Sequence, residues 1–338
     1  AAGTYAEDVV VNSVRNLTFG GATLNSLTIN APGSGIGGSA TATGSGGFMF
    51  NTPMVLLSDT SLATTGANIV FNGDIQNAGG TPRALNLSAG TGNIFLTSGG
   101  SEANPLGRLD AASNNFTLAG TLWVSGYEID ALGAVALSDT TLRSVGEILS
   151  VINAGGGITG STVTQGAVTI QSDDTIAMTS IVSAGNIELQ GGGSVTASIN
   201  TPAAVIIASD GAVVINGTAI AVVIRAPSAT ITGNFAEVTN TGAGVVQVNG
   251  VPQVPVTIPS TILSRILPTD GRLMSNVPTA ADGFLASAVS GRAEPDVYFS
   301  TGADPRGNHI MPAAPQQAAD ILDLGFGVEL DLSPRNIR

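Results

Sequence analysis

The chain has 338 residues, 43% of them apolar and only 10% charged, with 45 glycines and no cysteine. Its net charge of −13 includes eleven arginines and no lysine, which excludes nucleic acid as the main partner, because affinity for phosphate backbones comes from displacing counterions with Lys and Arg. The missing cysteines exclude thiolate metal sites, and the apolar content predicts a buried core rather than disorder.

A glycine followed by Ala or Asn and an alternating apolar run recurs along the first 250 residues. Each copy predicts one short strand entered through a turn. Spacings of 19 and 41 residues between copies match one and two turns of a coil of roughly 20 residues. The clearest copies are Gly92–Leu96, Gly133–Leu137, Gly166–Ile170, Gly185–Leu189 and Gly211–Ile215.

A longer self-similarity joins two octapeptides. Val55–Leu62 returns as Val135–Leu142 with six of eight residues identical, and Leu24–Leu27 and Leu106–Leu109 are matching Leu-x-x-Leu segments upstream. A unit near eighty residues predicts about four coils of roughly twenty residues each.

These patterns predict an all-β fold, a parallel β-helix or β-solenoid, in which stacking completes the core that no single coil can bury. About twelve coils over residues 1–250 would form a rod on the order of 60 Å long. A β-sandwich array is the alternative, since alternating strands with glycine turns also suit it. The most apolar stretch, Ala203–Ala226, is interrupted by polar residues and glycines, so no transmembrane span is expected.

The composition changes near residue 250. Ten of the 16 prolines lie in the last 88 residues, so residues 1–250 are predicted to form the solenoid and 251–338 a less regular, Pro-rich extension that caps the rod or serves assembly. Short helices are predicted at Ser260–Leu267 and Gln316–Leu324. The alternating residues Phe326, Val328, Leu330 and Leu332 could add as a strand to an exposed edge of this chain or of a neighbouring copy, which would build filaments.

The strings around Val55–Leu62, Thr64–Ile75 and Ala84–Leu96 resemble the repeats of filamentous-haemagglutinin-like proteins, which are secreted bacterial adhesins of the two-partner secretion type. The resemblance covers roughly residues 20–250. It implies a right-handed parallel β-helix on the outside of a Gram-negative cell. Because no charged and then apolar leader opens the sequence at Ala1, any signal peptide is expected to have been removed. The secretion-domain motifs of that family are missing, because the one Asn-Pro pair is Asn104–Pro105.

Candidate chemical sites are sparse. Asp173–Asp174 could act as general acid and base in a polysaccharide-active β-helix enzyme. Asp173–Asp174 or Asp59 could contribute to a calcium site. Both interpretations compete with the simpler one of solvated acids in turns. The Gly33–Gly38 run matches a dinucleotide fingerprint but is not followed by a helix. His309, with Asp304 nearby, is the single histidine.

We therefore expect a non-enzymatic extracellular structural or adhesive protein with no cofactor and no nameable catalytic residue. Its expected partners are further copies of itself and a glycan or host-surface ligand. The alternative is a glycoside hydrolase or lyase built on the same β-helix.

Overall fold

The computed structural model describes residues 3–12, 16–146, 149–242, 244–253, 321–323 and 329–331. These residues are all-β and contain no helix. The described part of the chain therefore offers no helix of the length and apolar character that a membrane span needs. The strands are β1 Gly3–Val11, β2 Asn16–Ile29, β3 Ser34–Phe50, β4 Met54–Thr64, β5 Ile69–Phe71, β6 Ile75–Asn77, β7 Leu85–Ser88, β8 Ile94–Leu96, β9 Leu106–Ser113, β10 Phe116–Leu118, β11 Leu122–Ala131, β12 Val135–Ser144, β13 Ser150–Ala154, β14 Ile158–Thr164, β15 Val168–Ser172, β16 Ile176–Ser183, β17 Ile187–Gly191, β18 Val195–Asn200, β19 Ala204–Ser209, β20 Ala212–Arg225, β21 Ser228–Asn240, β22 Val245–Val248, β23 Val251–Gln253, β24 Ile321–Asp323 and β25 Glu329–Asp331.

Parallel pairing joins strands one turn of the chain apart, and about twelve turns stack into a β-solenoid. The β-solenoid prediction is confirmed, and the β-sandwich alternative is wrong. Each coil has three faces. Face A includes β5, β8 and β10, face B includes β6 and the second halves of β12, β14 and β16, and face C includes β7, β13, β15, β17 and β19.

The core consists of columns of apolar residues, one residue per coil. The column on face A begins at the partly buried Val9 and continues through twelve buried residues, none more than 4% exposed. Because neighbouring coils lie one strand spacing apart, equal side chains can stack directly, and the rings of Phe50 and Phe71 lie 4.3 Å apart. In chain order these twelve residues are Leu27, Phe48, Ile69, Ile94, Phe116, Val135, Ile158, Ile176, Val195, Val213, Ala229 and Val246.

The coils differ in length, and this corrects the eighty-residue unit. Leu62 pairs with Leu87, 25 residues on, whereas Ile152 pairs with Ile170 after 18. Longer coils in the first half mean that eighty residues do not complete four turns. Val55 consequently lies on face B, whereas Val135 lies on face A. The two octapeptides are similar in sequence without being structurally equivalent.

Polar side chains form ladders at the corners of the coils. At the corner after face A, the amide of Asn30 donates to Asn12, that of Asn51 to Asn30 and that of Asn72 to Asn51, at 2.8–2.9 Å. Asn30 and Asn51 thus each accept from the coil above and donate to the coil below. These ladders satisfy polar groups where the backbone leaves the regular sheet.

Serine hydroxyls fix another corner in the later coils. Ser183 Oγ accepts the N–H of Gly185 at 3.1 Å and lies 2.9 Å from the carbonyl oxygen of Gly166 in the preceding coil. Ser209 makes the same pair of contacts with Gly211 and Gly193. The hydroxyl therefore closes its own turn and joins it to the turn below.

One polar bridge crosses the interior. Tyr127 is fully buried, and its hydroxyl lies 2.6 Å from Thr162 Oγ1, which donates to the carbonyl oxygen of Leu142. Since the threonine proton is used, Tyr127 donates to Thr162. Burial raises the pKa of Tyr127 far above its ordinary value, against the opposing effect of this hydrogen bond.

The last coil ends in a hairpin on face A. β23 pairs antiparallel with β22 through Asn249 and Gly250, both at positive φ, as a type I′ turn requires. Pro252 has no N–H to offer a further strand. This hairpin lies close to the predicted boundary at residue 250.

The C-terminal predictions fall largely outside the described residues. Ser260–Leu267 lies outside them entirely. The helix predicted at Gln316–Leu324 is wrong for Ile321–Asp323, which form β24 and pair antiparallel with β25. Leu330 lies in β25, and Phe326, Val328 and Leu332 lie outside the described residues.

Removing the interior hydrogen bond should be costly. We expect Tyr127→Phe and Thr162→Val each to lower the free energy of unfolding by about 1–2 kcal/mol, because the first removes the buried donor to Thr162 Oγ1 and the second removes the acceptor of the buried Tyr127 hydroxyl. The double variant should lose less than the sum of the single losses, as measured by urea unfolding. Strictly additive losses would show that the two hydroxyls do not interact in the folded protein.

The corner at Gly217 has no room for a side chain. Its φ is +130°, and a Cβ there would overlap the carbonyl oxygen of Ile199 in the coil below. We expect Gly217→Ala to lower the free energy of unfolding by at least about 2 kcal/mol. The exposed neighbour Asn216→Ala should change it by less than about 0.5 kcal/mol, and equal melting temperatures for the two variants would contradict the geometry.

Candidate functional site

A groove runs along the outer side of face B. One outward position in each of five successive coils is occupied in turn by Trp123, Arg143, Val163, Val182 and Asn200. Since each step is one strand spacing, this row is about 19 Å long. We call the depression around it the Trp123 groove; it has a volume of about 450 Å³.

The Trp123 groove combines an aromatic surface with hydrogen-bonding groups. The guanidinium carbon of Arg143 lies 4.8 Å from the centre of the Trp123 ring, as in a cation–π contact. Gln165, Asn200 and Glu102 contribute amide and carboxylate groups to the lining. A half-buried tryptophan beside planar polar groups is an arrangement suited to the apolar faces and hydroxyls of a sugar.

A second depression, of about 500 Å³, lies on the outer side of face C. Asp110 and Glu128 occupy the same outward position in neighbouring coils. Arg108 lies beside both, at 2.6 Å from Asp110 and 2.5 Å from Glu128. We call these three residues the Arg108 triad.

The Arg108 triad is an ion-pair cluster in which one guanidinium serves two carboxylates. Burial lowers the pKa of Arg108, but its bonds to Asp110 and Glu128 outweigh burial, so that this pKa lies above its ordinary value. Both carboxylates share one guanidinium, whereas a glycosidase acid must sit in an environment that keeps its proton. The triad relieves the repulsion of two stacked like charges.

The acids singled out in the sequence lie apart from both depressions. Asp173 and Asp174 are exposed in the turn between β15 and β16, where the N–H of Asp174 donates to Ser172 Oγ. Asp59 is exposed at the end of a bulge, and its carboxylate accepts the N–H of Ala84 at 2.9 Å. The structure places all three at corners of the coils. Within the described ranges, no three His, Cys, Asp or Glu residues group as metal ligands.

The glycine-rich run Gly33–Gly38 is not followed by a helix. Gly33 occupies a turn and Gly35–Gly38 lie inside strand β3, so the run lacks the helix N-terminus that binds the pyrophosphate of a dinucleotide. Asp304 and His309 lie outside the described residues. Asn104–Pro105 lies in the loop before β9, where the amide of Asn77 donates to the Pro105 carbonyl oxygen.

Sequence reasoning missed Trp123, Arg143 and the Arg108 triad. Members of each group are separated by about one coil, 20 residues in both Trp123–Arg143 and Arg108–Glu128. The signal that could have identified them is a functional side chain repeated at the local coil length. Because coil length varies, finding that signal requires the strand register.

The chain matches no family model, no curated protein and no solved structure.

The Arg108 triad makes a testable electrostatic contribution. We expect Arg108→Gln to lower the free energy of unfolding by about 1 kcal/mol at pH 7, because it leaves Asp110 stacked on Glu128 uncompensated. At about 1 M salt, where charges on partly exposed groups are screened, the difference from the wild type should shrink to less than about half. A loss that is the same at low and high salt would show that Arg108 acts through packing.

Proposed function

We propose that this chain is a non-enzymatic, extracellular structural or adhesive protein, a β-helical rod that forms part of a bacterial surface layer, filament or adhesin. The observation that carries the proposal is the Trp123 groove, because it lies along five coils of a rigid scaffold. A site on stacked strands holds its groups in fixed positions without a moving loop. The resemblance to haemagglutinin-like repeats supports placing it on the outer face of a Gram-negative cell.

The proposed ligand is a glycan, bound across successive coils. Trp123 supplies the stacking surface, Arg143 fixes the ring orientation, and Asn200 and Gln165 supply hydrogen bonds to hydroxyls. Arg143 is the positive group beside the ring, and acidic sugars would pair with it. The repeat of about 4.8 Å per coil suits an extended chain better than a single compact molecule.

The single tryptophan gives a direct assay of this proposal. We expect neutral and acidic oligosaccharides, titrated into the full chain, to include ligands that change the Trp123 emission in a saturable way. Trp123→Ala should abolish binding on a glycan array, and Arg143→Ala should weaken it at least about tenfold, which corresponds to 1.4 kcal/mol. Val214→Ala, an exposed change on face A, is the matched control.

No change in emission with any glycan, together with unchanged surface binding by Trp123→Ala, would contradict the adhesive role of the groove. Release of reducing sugar that depends on Asp173 would instead favour the polysaccharide-active alternative.

Self-association is the second part of the proposal. The alternating side chains of Phe326, Val328, Leu330 and Leu332 are the assembly residues that the sequence offers. Negative-stain electron microscopy over a concentration series should show filaments with an axial repeat on the order of 60 Å. Asp substitution of Phe326 and Val328 should then leave single rods, and single rods of the unaltered chain at all concentrations would contradict filament formation.

A further inference from the structure

Part of the rod is buried on both sides of a single sheet. Every residue of β15, β17 and β19 is buried, although only alternate residues of a strand can face the core. Ile206 is 1% exposed and Val223 4% exposed, yet neither belongs to the core cluster that contains their neighbours Val205, Ile207 and Val222. These side chains therefore face outward and are covered.

The covering is confined to one region of face C. Along the same outward row, Asn86, Asp110, Glu128 and Val151 are only half-buried. Over the next four coils the row is buried, with Thr169, Glu188, Ile206 and Val223 in succession. We call this region the covered patch; its second outward row consists of Gln171, Gln190 and Ala208.

The other faces of these coils supply an internal comparison. Val214 lies in the same strand as Val223 but on the outer side of face A, and it is 46% exposed. Stacking of coils alone therefore does not bury an outward valine. The main contacts of β17 among the described strands are with β15 and β19 beside it and with β16 and β18 at its ends, so none of its main neighbours packs over the patch.

The sequence changes where the covering begins. Strands that are buried on both faces have continuous runs of apolar residues, whereas strands with one face in solvent alternate apolar and polar residues. Residues 203–208 and 219–224 are such runs, which accounts for the most apolar stretch of the chain. Gln171 Oε1 in the patch is buried and accepts no hydrogen bond from the described residues, so the patch also presents an acceptor to whatever covers it.

We propose that the part of the chain that follows β23, residues 254–320, packs on the covered patch. The segment starts at the end of β23, on the last coil. Thr239, the half-buried residue that follows Val223 in the row, lies four strand spacings, about 19 Å, from the far end of the patch at Thr169, a distance that ten extended residues can span. Its first part carries Ile258, Ile262, Leu263, Ile266 and Leu267, enough apolar surface to cover Ile206 and Val223. This inference is independent of glycan binding.

The cysteine-free chain allows a clean test by thiol labelling. In the full chain, Val223→Cys should react with a maleimide on the order of 100-fold more slowly than Val214→Cys. Ala208→Cys is a second covered probe in case the first variant folds poorly, and circular dichroism checks folding of all three. Equal rates at covered and exposed probes would overturn the proposal.

A second measurement identifies what covers the patch. A photo-crosslinking residue at position 223 should attach to peptides from residues 254–320, and in a mixture of ¹⁴N and ¹⁵N chains the products should carry one isotope only. Mixed-isotope products would show that a second copy covers the patch and would overturn the proposal. Ile262→Asp should raise the labelling rate of Val223→Cys at least about tenfold, whereas the control Ser264→Asp should not.

Discussion

The parallel hydrogen bonding between successive coils determines most of this structure. Because each strand pairs with the strand one turn later, equivalent positions are held about 4.8 Å apart along the rod. The side chain that fits at a position then depends on the residues directly above and below it in the neighbouring coils as much as on its own strand. Phenylalanine stacks on phenylalanine, asparagine on asparagine, and glycine appears where a carbonyl of the next coil comes close, as at Gly217. The interior can tolerate a polar bridge such as Tyr127–Thr162 because both hydroxyls have partners.

Much of the fold could be predicted from sequence because the core alternation is local. Glycine-led runs such as Gly166–Ile170 and Gly185–Leu189 predicted strands that the structure contains, and their spacing predicted the coil. The eighty-residue unit failed because coil length changes from 25 to 18 residues, so sequence similarity between Val55 and Val135 did not preserve the face. Register is a property of the whole stack, and a single octapeptide does not encode it.

The candidate sites were beyond sequence reasoning for the same reason. Trp123 and Arg143 are neighbours only because they occupy the same position in successive coils. Arg108 and Glu128 are likewise brought together by one full turn of the solenoid. Asp173 and Asp174, the adjacent acids singled out in the sequence, lie exposed in a turn at a corner of the coil. The three faces thus differ in their outer surfaces: face A is largely open, face B carries the Trp123 groove, and face C passes from the Arg108 triad to the covered patch.

The most direct test of the stacked-coil account is a pair of distances measured by double electron–electron resonance. Spin labels at Thr117 and Thr230 lie in one column, six coils apart, and labels at Thr28 and Thr230 lie ten coils apart in the same column. A parallel solenoid should give narrow distributions near about 29 Å and about 48 Å, since each coil adds about 4.8 Å. Similar distances for the two pairs, or broad overlapping distributions, would contradict a parallel solenoid.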